Sequence, residues 1–440
     1  MKRYYFKKVK GGKDHVSQRV IQVDERPPLS QSLPLSLQHL FAMFGSTVLV
    51  PLLFNVNPST ILLLNGFGTL LYLFITKGKI PAYLGSSFAF ISPVFVVLKN
   101  GGYSDALGGF IAVGIIFVII SLIIQAVGTA WIDVVFPPAA MGAIVAVIGL
   151  QLVPTAAQMA GLIAPASPQA NWSPDVTSVT VSLLTLIITI IAWVMFRGFM
   201  KIIPILFGIV AGYIIAAIAG LVKWAPVKAA AWFAVPTFYT PSFHWASIIV
   251  IAPAALVVIA EHIGHLLVTG NIVNKDLTKD PGLGRSVMGN GLSTIISGFL
   301  GSTPNTTYGE NIGVLAITRV YSTWVIGGAA IIAMILSFVG KLSALIQSIP
   351  SPVMGGISLL LYGVIAASGI RILVESKVDY GKSQNMILTC VVLVIGLSGA
   401  AINIGKVALS GMGLATVVAI LLSLFFKVLN TLKLANDLDD

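Results

Sequence analysis

The sequence predicts an all-α integral membrane protein with about fourteen transmembrane helices. Charged residues make up only 9% of the 440 residues and the hydrophobic set makes up 57%, whereas soluble domains carry roughly 25% charged residues. The mean hydropathy of +0.97 agrees with this contrast. Many apolar runs approach the roughly 20 residues that a helix needs to cross about 30 Å of hydrocarbon. A monotopic or lipid-anchored enzyme would not need so many of them.

Apolar runs bounded by Pro, Gly, Asn and charged residues predict seven spans in each half of the chain. The spans of the first half are 33–54, 58–76, 81–97, 106–128, 136–153, 177–196 and 202–222. The spans of the second half are 247–269, 284–301, 304–318, 322–340, 345–369, 384–400 and 407–431. An odd repeat that occurs twice in one chain must lie in opposite orientations across the bilayer. The pattern therefore predicts two inverted repeats, an architecture common in transporters.

The distribution of basic residues predicts the orientation of these spans. With the N-terminus inside, five basic residues fall outside: Lys99, Lys223, Lys228, Lys341 and Lys406. The other 21 of the 26 Lys and Arg residues then face the cytoplasm. The positive-inside rule accordingly predicts that both termini are cytoplasmic. This asymmetry accounts for the formal charge of +11 without a nucleic acid as partner.

Two spans are interrupted at corresponding places in the two halves. The third span contains AYLGSSFAFISP and the tenth contains GFLGSTPNTTYGENIG. Each run is rich in Gly, Ser and Pro and is too short for an ordinary crossing helix. Backbone amides freed from helical bonding at membrane depth must be buried in protein or line a wet cavity. Such paired interruptions point to the binding site of a transporter.

One glutamate and two histidines lie in the otherwise apolar stretch AEHIGHLLVTGNIV, residues 260–273. A charged side chain at the bilayer centre costs about 2.5 to 3.5 kcal/mol on insertion scales, so Glu261 needs a function or a partner. His265 follows at i+4, where a carboxylate and an imidazole can meet and exchange a proton. A satisfied polar contact between helices is the structural alternative. A metal site that adds His262 is disfavoured, because HxxH lacks the i, i+4 histidine spacing of HExxH.

Two further polar residues are candidates within apolar spans. Glu310 follows the turn-forming stretch STPNTTYG and precedes the apolar NIGVLAIT, so we expect it near the start of a half-helix, where the dipole favours negative charge. A capping carboxylate is the alternative, and that role is compatible with substrate contact. His39, in LSLQHLFAMFG of the first span, corresponds roughly to His262 or His265 of the eighth span. We expect His39 to form a structural polar contact.

Several long strings are similar to motifs of the nucleobase/ascorbate transporter family: AEHIGHLLVTGNIV, GLSTIISGFLGSTPNTTYGENIGV, PAYLGSSFAFISP, and ERPPL followed by PLSLQHLFAMFG. The resemblance runs from about residue 24 to residue 430. It implies fourteen spans in two inverted sevens, with short strands where spans three and ten are broken. It also implies a core domain of spans one to four and eight to eleven, and a gate domain of the other spans.

The implied domains follow the predicted spans along the chain. They are a basic cytoplasmic N-terminal tail, 1–32; the core domain, 33–128 and 226–342; the gate domain, 129–225 and 343–431; and a cytoplasmic C-terminal tail, 432–440.

The resemblance also implies roles for individual residues. Glu261 would bind a pyrimidine and couple to His265 and the proton, and Glu310 would support the base. The backbone amides of Phe88 and Gly309 would donate hydrogen bonds to it. Tyr308 and Tyr362 are similar to residues that line the family's pocket. For both tyrosines, an ordinary role in packing is an equally weighted alternative.

The function that the resemblance implies is the import of uracil with protons across a bacterial cytoplasmic membrane. The expected partners are uracil, protons, the lipid bilayer and a second copy of the chain through the gate domain. We expect no enzymatic activity, no metal, and no cofactor apart from the proton as coupling ion. A carrier for purines, xanthine, ascorbate or another nucleobase is one alternative. Another is an anion channel or exchanger of related architecture, which would need a basic residue at the broken spans.

Overall fold

The structure is a computed structural model that describes residues 20–165, 172–404 and 407–435. Most of the predicted basic tail, residues 1–19, therefore lies outside the described residues. The same holds for Lys406, which we predict to face outward, and for residues 436–440 of the predicted C-terminal tail.

The described residues are mostly helical. The helices of the first half are α1 (Leu29–Phe54), α2 (Pro58–Ile75), α3 (Ile91–Asn100), α4 (Tyr103–Val127), α5 (Ala130–Val135), α6 (Pro138–Met159), α7 (Val176–Met195), α8 (Pro204–Ile218) and α9 (Trp224–Ala229). The helices of the second half are α10 (Trp245–Ile251), α11 (Pro253–Val273), α12 (Leu283–Leu300), α13 (Gly309–Thr318), α14 (Thr323–Leu336), α15 (Gly340–Gln347), α16 (Ser351–Glu375), α17 (Ser383–Leu397) and α18 (Gly411–Thr431).

Four short strands and three short non-α turns complete the secondary structure. The strands are β1 (Leu84–Ser86), β2 (Asn305–Thr307), β3 (Ala401–Ile404) and β4 (Val407–Ser410). The turns are two 3₁₀ helices, Phe88–Phe90 and Gly198–Ile202, and one π turn, Thr278–Gly282.

Length and composition make this a multi-pass membrane protein. Within the described ranges, eight helices are long and apolar enough to span a bilayer, with α10 and α11 taken as one continuous stretch. Four shorter apolar helical segments accompany them. Proline is the first residue of α2, α6, α8 and α11, where its missing N–H costs nothing and its fixed φ suits a helix start.

The helices pack in two groups. In the first group, α4 packs against α12, and α14 packs against α1 and α2. In the second group, α6 packs against α16, α17 and α18, while α7 packs against α8 and α16. Helix α11 contacts both groups, through α4 and α13 on one side and through α6 and α18 on the other. The two groups thus meet along α11.

The strands form two antiparallel pairs that depart from a purely helical fold. The pair β1–β2 lies where the third and tenth predicted spans are interrupted, as the family resemblance implies. The pair β3–β4 is a hairpin between α17 and α18 that we did not predict. The predicted span 407–431 therefore begins with a strand, and its helix begins only at Gly411.

Glycine allows α4 and α12 to approach until their backbones touch. A Cβ atom added at Gly114 would lie 2.8 Å from the carbonyl oxygen of Gly291, and one added at Gly291 would lie 3.0 Å from the carbonyl oxygen of Gly114. Small residues drive helix association in membranes in this way, because lipid tails are as apolar as large side chains.

We predict that Gly114→Ala destabilises the protein by about 1 to 3 kcal/mol, because the added methyl group overpacks the α4–α12 contact. Thermal unfolding of the detergent-purified protein measures the effect as a lower melting temperature. Gly363→Ala in α16 is the matched control, since a Cβ atom there meets no atom within 4 Å. Equal melting temperatures for the two variants would contradict the predicted close contact.

Candidate functional site

The two interrupted spans cross as the antiparallel pair β1–β2, and all six strand residues are buried. The register pairs Leu84 with Thr307, Gly85 with Thr306, and Ser86 with Asn305. One more backbone hydrogen bond lies beyond each end of the pair, from Ser87 N–H to the Pro304 carbonyl at 3.1 Å and from Tyr308 N–H to the Tyr83 carbonyl at 3.0 Å. The backbone released from the helices is thus paired again within the protein.

A threonine from the preceding helix caps each strand from its other edge. Thr69 of α2 accepts a hydrogen bond from the Leu84 N–H at 2.9 Å. Thr294 of α12 accepts one from the Asn305 N–H at 3.1 Å. The Asn305 side chain also donates to Ser293 of α12 at 2.6 Å. These contacts satisfy strand amides that would otherwise be unpaired and buried, a costly condition at membrane depth.

Each strand leads directly into the start of a half-helix. Phe88 opens the 3₁₀ turn before α3 and is half-buried, whereas Gly309 opens α13 and is exposed. The first amides of a helix lack an acceptor within the helix. Among the described residues, neither the Phe88 N–H nor the Gly309 N–H has a hydrogen-bond partner. Both amides are therefore free to donate to a ligand.

Glu310 lies in the first turn of α13, which confirms the predicted position at the start of a half-helix. Its Oε1 atom accepts a hydrogen bond of 2.5 Å from the hydroxyl of Ser46, a buried residue of α1. A short hydrogen bond to a carboxylate is charge-assisted and fixes the orientation of the acceptor. Sequence reasoning missed Ser46, because one serine in an apolar helix gives no signal of a partner 264 positions away.

Glu261 and His265 both lie on α11, as predicted, and both are half-buried. Their predicted direct contact is not formed. The His265 Nδ1 atom hydrogen-bonds instead to the Thr307 hydroxyl of β2 at 3.1 Å. In the part of the chain that the structure describes, Glu261 has no hydrogen-bond partner, and its helix packs against α13, which carries Glu310. Glu261 thus keeps its acceptor capacity for a ligand or a proton.

The other two membrane histidines are buried and hydrogen-bonded to protein. His262 contacts Thr307 through Nδ1 at 3.1 Å and Ser286 through Nε2 at 2.7 Å. Both ring nitrogens are thus occupied, which leaves neither free to bind a metal. The His39 Nδ1 atom accepts from the Asn311 side-chain amide at 3.1 Å, and the same amide donates to the His39 carbonyl. The predicted structural contact of His39 is therefore formed.

The two candidate tyrosines lie in packed surroundings. Tyr308 is 4% exposed, and its ring lies against Gly85, where a side-chain Cβ atom would overlap it. The ring belongs to a cluster with Met43 and Tyr83. Tyr362 is fully buried on α16 within the main apolar core. Both rings therefore hold packing positions in this structure, and contact with a ligand is not shown for either.

Gln151 of α6 is a polar residue that sequence reasoning did not select. Its Nε2 atom donates to the Ser92 hydroxyl of α3 at 2.7 Å, and its Oε1 atom accepts from the Met412 N–H at the start of α18 at 2.9 Å. The side chain thus links the second group of helices to the half-helix that follows Phe88.

The sequence that forms this site matches a known family. The profile described as Permease family matches residues 30–405. The chain belongs to this permease family. The match confirms the resemblance to nucleobase transporters, and it makes this protein a membrane permease and not an enzyme.

Curated relatives align with nearly the whole permease chain. The uracil permease of Paenibacillus larvae is 65% identical over 419 residues, which cover 95% of this chain and 99% of the relative. The uracil permease of Escherichia coli K12 is also 65% identical, over 95% of this chain and 96% of the relative. The uracil permease of Bacillus subtilis is 49% identical over 88% of this chain and 91% of the relative.

Solved structures share the fold of this permease at low sequence identity. A structure of SLC26A9 superposes with a TM-score of 0.68 at 13% identity over 92% of this chain. This chain spans 66% of the length of that one. The transmembrane domain of the cyanobacterial bicarbonate transporter BicA superposes with a TM-score of 0.59 at 15% identity, over 90% of this chain and 96% of that domain. These likenesses establish a transporter-like fold.

We predict that Thr69→Val destabilises the permease by about 1 to 3 kcal/mol, because the near-isosteric change leaves the buried Leu84 N–H with one acceptor fewer. Thermal unfolding in detergent measures the loss. Thr416→Val is the matched control, because this buried threonine only donates to the Met412 carbonyl within its own helix. If Thr416→Val lowered the melting temperature as much as Thr69→Val, the strand-capping role of Thr69 would be excluded.

Proposed function

We propose that this permease is a proton-coupled uracil symporter that imports the base by alternating access. The observation that carries the proposal is the crossing of the broken spans, where two free helix-start amides lie in the same region as two carboxylates. The names of the 65% identical relatives support the choice of uracil.

The chemistry of uracil matches the groups at the crossing. The base has two N–H donors and two carbonyl acceptors, and each buried polar group needs a partner in a dry pocket. In our proposal Glu261 accepts from a ring N–H, and the amides of Phe88 and Gly309 donate to the carbonyl oxygens. Glu310, held by Ser46, supports the base from the start of α13. Tyr308 and Tyr362 back the pocket from their packed positions.

We infer fourteen spans in two inverted repeats. The pair β1–β2 supports this inference, because equivalent segments of inverted repeats run in opposite directions and these strands are antiparallel. The neighbouring helices also correspond in length: α2 and α12 each have 18 residues, and α3 and α13 each have 10. The capping threonines Thr69 and Thr294 occupy equivalent places in the two halves.

We assign the two groups of packed helices to a core and a gate. The core comprises 33–128 and 226–342, and the gate comprises 129–225 and 343–431. Extensive packing within each group supports movement of one against the other around a fixed site. We propose that both termini face the cytoplasm of a bacterial cell, as the positive-inside rule indicates, and that two gate domains pair in a homodimer.

One proton per base would supply enough energy for scavenging. A proton moving down 100 mV releases about 2.3 kcal/mol, and each 1.4 kcal/mol corresponds to a tenfold ratio. Such a potential sustains a base gradient of roughly 50-fold. In the proposed cycle, protonation near Glu261 and His265 cancels buried charge, lets the loaded core move, and is reversed at the cytoplasmic side.

We predict that Glu261→Gln and His265→Ala each lower proton-driven uracil uptake at least tenfold, because each removes a group that binds or couples the proton. Radiolabelled uracil uptake into proteoliposomes with an imposed acid-outside gradient measures the effect. Unchanged rate and pH dependence in both variants would refute the coupling assignment. Competition by purines or xanthine would indicate another nucleobase, and currents that persist without any base would indicate an anion channel or exchanger.

We predict that Ser46→Ala weakens uracil binding about tenfold or more, because hydrogen bonds to charged groups contribute about 1.5 to 3 kcal/mol. Equilibrium binding to the purified permease measures the dissociation constant. Ser36→Ala is the matched control, since Ser36 is a buried serine of the same helix that donates to the Val325 carbonyl, away from Glu310. If Ser46→Ala bound uracil with wild-type affinity, Glu310 would be a simple helix cap with no role in binding the base.

A further inference from the structure

A buried chain of hydrogen bonds connects Tyr72 to His265. The Tyr72 hydroxyl lies 2.6 Å from the Ser286 hydroxyl, which lies 2.7 Å from His262 Nε2. His262 Nδ1 lies 3.1 Å from the Thr307 hydroxyl, which lies 3.1 Å from His265 Nδ1. Each interior member has two neighbours in the chain and, with a neutral His262 ring, one proton to donate. If every one of these protons is donated within the chain, they all point the same way along it.

The Tyr72 end selects one of the two directions. If the protons point toward His265, the Tyr72 hydroxyl donates to Ser286 and every donor in the chain has an acceptor. If they point toward Tyr72, its own proton has no acceptor, because Ser286 is the only hydrogen-bond partner of this hydroxyl among the described residues. Tyr72 is fully buried, so its hydroxyl is shielded from bulk water. An unmet buried donor is penalised, which favours the direction toward His265.

This direction determines the tautomers of both histidines. His262 carries its proton on Nδ1 and donates to Thr307, and Thr307 donates to His265 Nδ1. His265 then carries its proton on Nε2. That atom faces the start of α13, because a Cβ atom added at Gly309 would lie 3.3 Å from it. A neutral ring has only one N–H, so the opposite tautomer would present a lone pair there instead.

We propose that Tyr72, Ser286, His262 and Thr307 are positioning residues that fix His265 in the tautomer with Nε2–H directed at the ligand site. This inference rests on the proposed function for the identity of the ligand, and it assigns these four residues a role in specificity. An N–H at this place favours a ligand that presents a carbonyl oxygen or an anionic group to α11. It also leaves the Gly309 amide without a competing acceptor.

Closely packed helices surround these hydrogen-bonded residues. The residues come from α2, α12, α11 and β2, which contact one another around the crossing. The Tyr72 ring meets the His262 ring edge to face, with centroids 6.4 Å apart. A Cβ atom added at Gly289 would lie 2.6 Å from the Tyr72 ring, so glycine at this place lets the ring lie against α12. Preorganised donors of this kind lower the cost of binding.

The test is nitrogen NMR of the full-length protein in liposomes, with histidine labelled by ¹⁵N, at about pH 8, above the ordinary imidazole pKa of about 6.5. The protonated and unprotonated ring nitrogens of a neutral imidazole have well-separated shifts, so each tautomer is read directly. Loss of one signal set in His262→Gln and in His265→Gln assigns the spectrum. We expect Nε2–H for His265 and Nδ1–H for His262 in the wild type.

Variants separate a positioning role from a structural one. Thr307→Val and Tyr72→Phe should each add a clear population of the His265 Nδ1–H tautomer and raise the dissociation constant for uracil about threefold to tenfold. Thr307→Ser, which keeps the hydroxyl, should restore both values, and Thr416→Val should change neither. If the hydrogen-bonded residues had only a structural role, these substitutions would lower the melting temperature without changing the tautomer of His265.

Two results would overturn the proposal. One is a wild-type His265 with its proton on Nδ1, and the other is an unchanged tautomer in both Thr307→Val and Tyr72→Phe. The wild-type spectrum decides the first point even where a variant fails to fold. A wild-type protein with the expected tautomers but no uracil uptake would refute the proposed function alone.

Discussion

A backbone amide that leaves a helix inside a membrane must find another partner, and the centre of this permease is built around that constraint. Two spans are interrupted, so their backbones pair with each other as β1 and β2. Thr69 and Thr294 supply acceptors on the outer edges. This local pairing supplies partners for backbone groups that two broken helices would otherwise leave unpaired at membrane depth.

The same interruption creates the features of a binding site. A helix that begins at membrane depth has first amides without internal acceptors, and it favours negative charge beside them. The free amides of Phe88 and Gly309 and the carboxylate of Glu310 follow from this geometry. Glu261 comes from a continuous helix, α11, which packs against the half-helix α13 that carries Glu310. The proposed binding groups thus come from both broken and unbroken elements.

The two helix groups are the parts of the molecule that could move relative to each other around the proposed site. Broad apolar faces join the helices within each group, while α11 and the side chain of Gln151 provide contacts between the groups. Gln151 contacts α3 directly, which is the half-helix that begins beyond Phe88. Gln151 therefore joins the second group to the end of a broken span, next to the proposed ligand position.

Local patterns in the sequence determined the membrane class, the two interruptions and the place of Glu310, because hydropathy and helix-start chemistry depend on neighbouring residues. The same reasoning placed His265 on the same helix face as Glu261, but it did not identify the hydrogen-bond partner of His265. Only the tertiary structure decided that His265 bonds to Thr307 and that Glu310 bonds to Ser46, since these partners are 42 and 264 positions apart. Many hydroxyls in the chain could fill such roles, and selection among them requires the packing that brings α1, α11 and β2 together.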